Sequence, residues 1–308
     1  MHRAHRMPTA AALLAAAVLV GEASTAVADL RIFACEPEWA ALSREIGGDH
    51  VTVDSAVTGL QDVHYIEARP SLIAKTRRAD LIVCTGAGLE VGWLPLLLRQ
   101  SANPKVQPGR KGLFEASSVV DMLEVPVAVD RAEGDLHPFG NPHIQLDPRN
   151  IALVAGALAR RMAELDAANA ELYSARHWDF SRRWQAAIKR WEDLTRALKG
   201  MAIIVHHRSW VYLVHWLGLK ETAVLEPIPG VPPSAGHLSR LLGEIHDREA
   251  KLIIRASYQS SRASEWLSRR SNIPAMVLPH TVGSTDRAKD LFAVFDEISA
   301  LLVQAAAR

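Results

Sequence analysis

Cysteine is almost missing from this chain: Cys35 and Cys84 are its two in 308 residues. With no CxxC pair they do not make a thiolate zinc site. An excess of one charge is missing too. Lys and Arg number 35 against 34 Asp and Glu, a net charge of +1, which gives no support for a nucleic-acid partner. Beyond the N-terminal segment no apolar run is long enough for a membrane helix. No HExxH is present, so the helix-borne zinc-hydrolase motif is excluded. No low-complexity segment or short-period repeat occurs.

What is present starts with the first 28 residues. His2, Arg3, His5 and Arg6 form a basic stretch, an apolar run of Ala and Leu follows from Ala10 to Val20, and Ala26-Val27-Ala28 is a small-residue cleavage site. That order predicts a signal peptide over 1–28 and a mature start at Asp29. No cysteine stands at a lipoprotein position, so a soluble periplasmic protein without a lipid anchor is expected. In that compartment Cys35 and Cys84, both at the ends of strand-like runs, can pair as a disulfide or remain as buried thiols.

The mature chain alternates short apolar strands with helices, and does so twice. Leu30–Ala34, Val51–Val53, Asp80–Cys84 and Val125–Val129 read as strands of a first lobe. Met201–Val205, Ala223–Leu225, Leu252–Ile254 and Ala275–Leu278 read as strands of a second. Between them Pro148–Leu165 and Ala167–Lys199 carry apolar residues at helical spacing in a background of strong helix formers, ending at Gly200. A closing helix is expected over Asp286–Leu302. The pattern predicts an α/β protein of two lobes, each a parallel sheet flanked by helices, joined by a long backbone helix. The boundaries are 29–165, 166–200 and 201–308.

Thirteen histidines are many for this length, and four fall where open parallel sheets bind ligands, beyond the carboxyl ends of strands. His64 lies in the loop after Val51–Val53. His143 lies in Gly134–Pro148, GDLHPFGNPHIQLDP, where three prolines stiffen the loop around it. His207, paired with His206, directly follows the first strand of the second lobe. His280 follows Ala275–Leu278. Two come from each lobe, so lobes closed face to face gather imidazoles suited to a transition metal. His137 is a nearby auxiliary candidate, Asp286 a reserve carboxylate, and Glu67 a candidate acceptor fixing a histidine tautomer.

The segments HYIEARPS at His64, NPHIQLDP at His143, HHRSWVYL at His207 and LPHTVG at His280 resemble the substrate-binding receptors of bacterial zinc and manganese ABC transporters, over essentially the whole mature chain. The resemblance implies an interlobe metal site of His64, His143 and His207 with a fourth ligand from the second lobe, a permease partner, and restricted lobe closure. Aspartate is frequent at that fourth position in the family; here His280 falls there, which favours Zn²⁺ as the transported ion over manganese. The long His-rich insertion of many zinc receptors is reduced to His137. The expected protein is a monomeric zinc receptor and not an enzyme, with a periplasmic metallochaperone as a further partner. A manganese or iron receptor on the same fold is the alternative, and a zinc-dependent hydrolase a more distant one.

Overall fold

The computed structural model describes residues 29–127, 137–245 and 249–307. The signal segment therefore lies outside the described residues, as do Ala128 and Val129 and the first three residues of the Gly134–Pro148 loop.

The first lobe runs β1 (Leu30–Ala34), α1 (Pro37–Gly47), β2 (Val51–Ser55), α2 (Pro70–Arg78), β3 (Leu81–Cys84), α3 (Leu94–Ser101) and β4 (Leu113–Glu115). Two helices follow: α4 (Pro148–Leu165) and α5 (Ala170–Thr195). The second lobe runs β5 (Ala202–Val205), α6 (Val211–Leu217), β6 (Lys220–Val224), α7 (Ala235–Glu244), β7 (Leu252–Arg255), α8 (Ser261–Ser271), β8 (Ala275–Val277) and α9 (Leu291–Ala306). Each lobe holds a four-stranded sheet, ordered β2-β1-β3-β4 and β6-β5-β7-β8, and every strand pair is parallel. Parallel strands with helices on both faces are buried on both faces. The central β3 and β5 are accordingly apolar runs, LIVC and AIIV, buried at every position.

The fourth strand of the first sheet corrects the sequence reading. It is Leu113–Glu115, paired with β3 at Ile82↔Leu113; Val125–Val127 is irregular. Val125 and Val127 face solvent, so the apolar run there is surface and not sheet. The closing helix also begins later than Asp286. Asp290 caps it, its Oδ1 accepting from Ala293 N at 2.8 Å, as a short acidic side chain does at a helix start.

The 26 residues of α5 tie the lobes together. Trp184 donates from Nε1 to Pro148 O at 2.8 Å, at the start of α4. Two turns on, Trp191 donates to Asp296 Oδ1 on α9 at 2.6 Å. The two indoles meet edge to face at 5.2 Å, a favoured aromatic geometry. One apolar core therefore runs from β1 through both tryptophans to β5 and α9. The lobes also touch directly. Thr281 Oγ1 donates to Glu38, Ser257 Oγ donates to Gly59 O at 3.1 Å, and a Cβ at Gly59 would fall 2.4 Å from Ser284 N.

Cys35 and Cys84 are joined as a disulfide. Both are fully buried at the carboxyl ends of β1 and β3, so of the two readings left open by the sequence the structure takes the paired one.

Candidate metal centre

Three histidines converge between the lobes. His64, His143 and His207 each offer a ring nitrogen, and these nitrogens lie within 4.8 Å of one another. Their ring centroids are 5.6 Å (His64 to His143), 6.0 Å (His64 to His207) and 5.8 Å (His143 to His207) apart. A tetrahedral zinc with bonds of about 2.0–2.1 Å would set its nitrogens about 3.4 Å apart. The trio is thus at most slightly open, by an amount that small ring rotations close.

Each imidazole is aimed by a different device. His64 sits on the loop between β2 and α2. Asp62 Oδ1 accepts from its backbone N at 3.0 Å and lies 2.8 Å from its Nδ1, which turns Nε2 toward the centre. His207 lies two residues past the end of β5, and its Nδ1 is 2.7 Å from Glu226 Oε2, two residues past the end of β6. Both are carboxylate–histidine pairs that fix the tautomer and raise the ring's basicity as a ligand. The Asp62 carboxyl is pushed up by burial, but its bonds and charge interaction with His64 outweigh this and hold it below the usual range.

His143 is held through its backbone. Its N donates to Asn141 Oδ1 at 3.1 Å. Asn141 in turn donates from Nδ2 to Arg208 O at 2.8 Å, and its own O accepts from Tyr212 Oη at 3.0 Å. The Asn-Pro-His element of the first lobe is therefore clamped by the second. A turn of 3-10 helix over Ile144–Leu146 leads from it into α4, where the Asp147 side chain accepts from Arg149 N at 2.9 Å. His143 Nε2 is buried and has no hydrogen-bond partner. Burial, and the neighbouring His64, His207, His137 and His280, push the His143 ring well below the usual imidazole range. A buried, neutral, unpartnered imidazole nitrogen is costly alone, by about 1–3 kcal/mol, and is the state a metal requires.

The other predicted residues lie outside that trio. His280 is beside it, and its Nδ1, like His143 Nε2, is buried with no hydrogen-bond partner. Its ring packs edge-on against Tyr258 at 5.1 Å, its O accepts from Gln145 Nε2 at 3.4 Å, and burial pushes it down to about 4. It shares a small cavity of about 30 Å³ with His143. His137 is closer, its Nε2 3.4 Å from His64 Nε2. His206 stands behind His207, its Nε2 3.5 Å from Glu226 Oε1. Asp286 is exposed and outside the group, and Glu67 is exposed as well. The tautomer-fixing carboxylates are instead Asp62 and Glu226. Asp62, two residues before His64 in DVH, could have been found from that spacing, since Asp side chains bond their own backbone two residues on. Asn141 and Tyr212 lie inside the quoted NPHIQLDP and HHRSWVYL segments, whereas Glu226 carried no local signal.

Two lobes joined by a long helix, with three imidazoles converging between them, have the architecture of a metal-binding receptor. The family model "Zinc-uptake complex component A periplasmic" matches residues 32–305, and the chain belongs to that family, whose members are substrate-binding components of metal ABC transporters and not enzymes. The chain is 22% identical over 287 residues to the manganese ABC transporter substrate-binding lipoprotein PsaA of Streptococcus pneumoniae TIGR4, covering 90% of each. It is 30% identical over 149 residues to the metal ABC transporter substrate-binding lipoprotein ScbA of Streptococcus cristatus, an alignment spanning 48% of this chain and 46% of that one. A crystal structure of ZnuA superposes with a TM-score of 0.76 at 24% identity, over 90% of this chain and 99% of the other.

Proposed function

We propose that this protein captures Zn²⁺ outside the cytoplasm at His64, His143 and His207 and delivers it to the membrane permease of an ABC transporter. The observation that carries the reading is the convergence of three ring nitrogens within 4.8 Å, two of them backed by carboxylates. An all-imidazole set favours zinc over harder ions. The carboxylates paired with two of these histidines, Asp62 and Glu226, are occupied at Nδ1 and supply the outer hydrogen bonds. That occupation also argues against a hydrolase, which needs an acid or base free to meet a water.

The protein's work is binding and release. Neutral imidazoles exchange water for the ion, and protons compete for the same nitrogens, so the site loads at neutral pH and weakens in acid. The helix α5, anchored to both lobes by Trp184 and Trp191, favours a small closing movement over a wide hinge. Manganese is the second reading, favoured by the naming of the relative PsaA for that metal. The test is metal content by mass spectrometry after metal-free protein is equilibrated with equal zinc and manganese, for the unmodified chain and His143→Ala. One zinc per chain, lost in the variant, is the expected result. Manganese retained in preference to zinc would overturn the choice of ion, and no bound metal would overturn the site.

A further inference from the structure

The loop that leads from β2 to His64 presses against the second lobe at Gly59. Gly59 is buried, although its neighbours Thr58 and Leu60 are exposed. A Cβ added there would lie 2.4 Å from Ser284 N, 2.5 Å from Gly283 C and 2.7 Å from Val282 O. All three are backbone atoms of the second lobe, and all three distances are well inside van der Waals contact. Gly59 does not take a positive φ. The glycine is therefore required by the close approach of two backbones and not by the left-handed region.

Both sides of this contact are braced from within. In the second lobe Ser284 Oγ donates to Thr281 O at 2.6 Å and accepts from His280 N at 3.2 Å and Thr281 N at 3.4 Å. Gly283 N donates to Ala288 O at 2.6 Å. In the first lobe Thr58 N donates to Gln61 Oε1 at 3.0 Å, and Gln61 N donates to Thr58 O at 3.2 Å. Two residues on, Val63 O accepts from Nε1 of the buried Trp93 at 2.8 Å. The polar bonds across the contact are fewer: Ser257 Oγ to Gly59 O at 3.1 Å, and Thr281 Oγ1 to Glu38. A side chain at position 59 would therefore move one lobe against the other before it reshaped either surface. Restoring ordinary contact of about 3.5 Å takes about 1 Å of separation.

We infer that Gly59 is a positioning residue for the metal: by letting the two backbones meet, it sets the lobe spacing at which His207 reaches the ion held by His64 and His143. This rests on the metal-receptor reading above. His64 and His143 stand on first-lobe loops and His207 on the second lobe. Their nitrogens, within 4.8 Å of one another, must draw in to about 3.4 Å around a tetrahedral zinc. The site has to tighten when it loads, and a separation of about 1 Å is enough to leave such a constellation too loose. Gly59 touches no ligand. It acts through the distance between the lobes, and so through His207.

A double-mutant cycle separates this role from a merely structural one. Zinc affinity is read by competition with chromophoric chelators of graded strength in the unmodified protein, Gly59→Ala, His207→Ala and the double variant. Gly59→Ala is expected to weaken zinc by about 10–100-fold when His207 is present, and by less than about twofold when it is already alanine. An equal loss in both backgrounds overturns the inference, because general loosening of the fold does not depend on His207. Unchanged affinity in Gly59→Ala overturns it too, since the loop or the turn would then have yielded with the lobes in place. If urea titration shows that Gly59→Ala does not fold, Ser257→Ala, which removes only the bond to Gly59 O, goes through the same cycle. It is expected to cost about threefold with His207 present and nothing without it, and equal or absent losses overturn the inference in the same way. An unmodified protein that binds no zinc, or zinc binding that His207→Ala leaves intact, sinks the receptor site itself, and the inference with it.

Discussion

The two lobes share one strand order, and their central crossings superimpose bond for bond. In the first, Cys35 N donates to Val83 O at 2.8 Å and Ala56 N to Ala34 O at 2.8 Å. In the second, His206 N donates to Ile254 O at 2.9 Å and Leu225 N to Val205 O at 2.8 Å. Cys35-Glu36 in one lobe thus occupies the place of His206-His207 in the other. Open α/β sheets bind ligands at this crossing, and the two crossings are furnished differently. In the first lobe the disulfide seals the strand ends, the buried Glu36 and Glu38 line a small cavity with His143 and His280, and the candidate ligands come from loops further out, at His64 and His143. In the second lobe the crest residue His207 is itself the candidate ligand. The same frame is a sealed core in one copy and a binding surface in the other, according to which side chains follow the first strand.

Breaking the open crossing has the largest expected effect. His207→Ala removes one of the three proposed ligands and should lower zinc affinity by about a thousandfold or more, read by competition with a chromophoric chelator; losing an outer partner alone costs about 10–100-fold. A variant within tenfold of the unmodified protein would place the metal elsewhere. Breaking the sealed crossing acts on stability instead. The paired change Cys35→Ser with Cys84→Ser opens a loop of sequence separation 49 and lowers the unfolding free energy by about 2–4 kcal/mol in urea titration, with zinc affinity little changed. A large loss of affinity in that variant would mean the sealed crossing also shapes the site.

The buried acids sharpen the comparison through pH. Burial raises Glu38 to about 7, against the opposing bond from Thr281. Burial, with the charges of Glu90 and Glu38, raises Glu36 further. A carboxyl whose folded value lies above its unfolded one stabilises the fold fully below the unfolded value. That stability is lost as pH rises through the folded value. The acids' contribution to the stability of the metal-free protein should therefore fall from pH 5 to pH 8, against an opposite gain up to about pH 6.5 from His143 and His280, whose folded values lie below their unfolded ones. Glu38→Gln should flatten part of that fall, by on the order of 2 kcal/mol; a variant with the same slope would show that Glu38 is ionised throughout. The smallest effect belongs to the carboxylate behind His207. Glu226→Gln keeps the shape, removes the charge, and weakens zinc by about tenfold in the same competition assay.

Much of this architecture was legible in the residues. The strands LIVC and AIIV are continuous apolar runs, LRIFA and LIIR are apolar but for one arginine each, and α4 begins and ends where Pro148 and Leu165 say it does. The failures have local causes. Val125–Val129 is as apolar as a strand, but hydrophobicity alone does not say which face water covers. The true fourth strand, Leu113–Glu115, is three residues long and too short to display a period. Glu67 was a reasonable acceptor for His64 by proximity in sequence, but the turn places Asp62 there instead.

The sequence by itself determined the class of fold and the kind of chemistry. Alternating apolar strands and amphipathic helices admit few packings, and histidines just beyond strand ends point into a cleft wherever that fold forms. The tertiary structure alone decided which histidines meet. His280 and His207 both follow strands of one sheet, but His207 lies at the crossing with Glu226 beside it, whereas His280 turns to pack against Tyr258. It likewise decided that Cys35 and Cys84 pair, since adjacent strands bring their ends together across 4.8 Å between Cα atoms. Spacing along the chain specifies local structure. Distance across a cleft depends on how two lobes dock on one helix, and no local pattern encodes that.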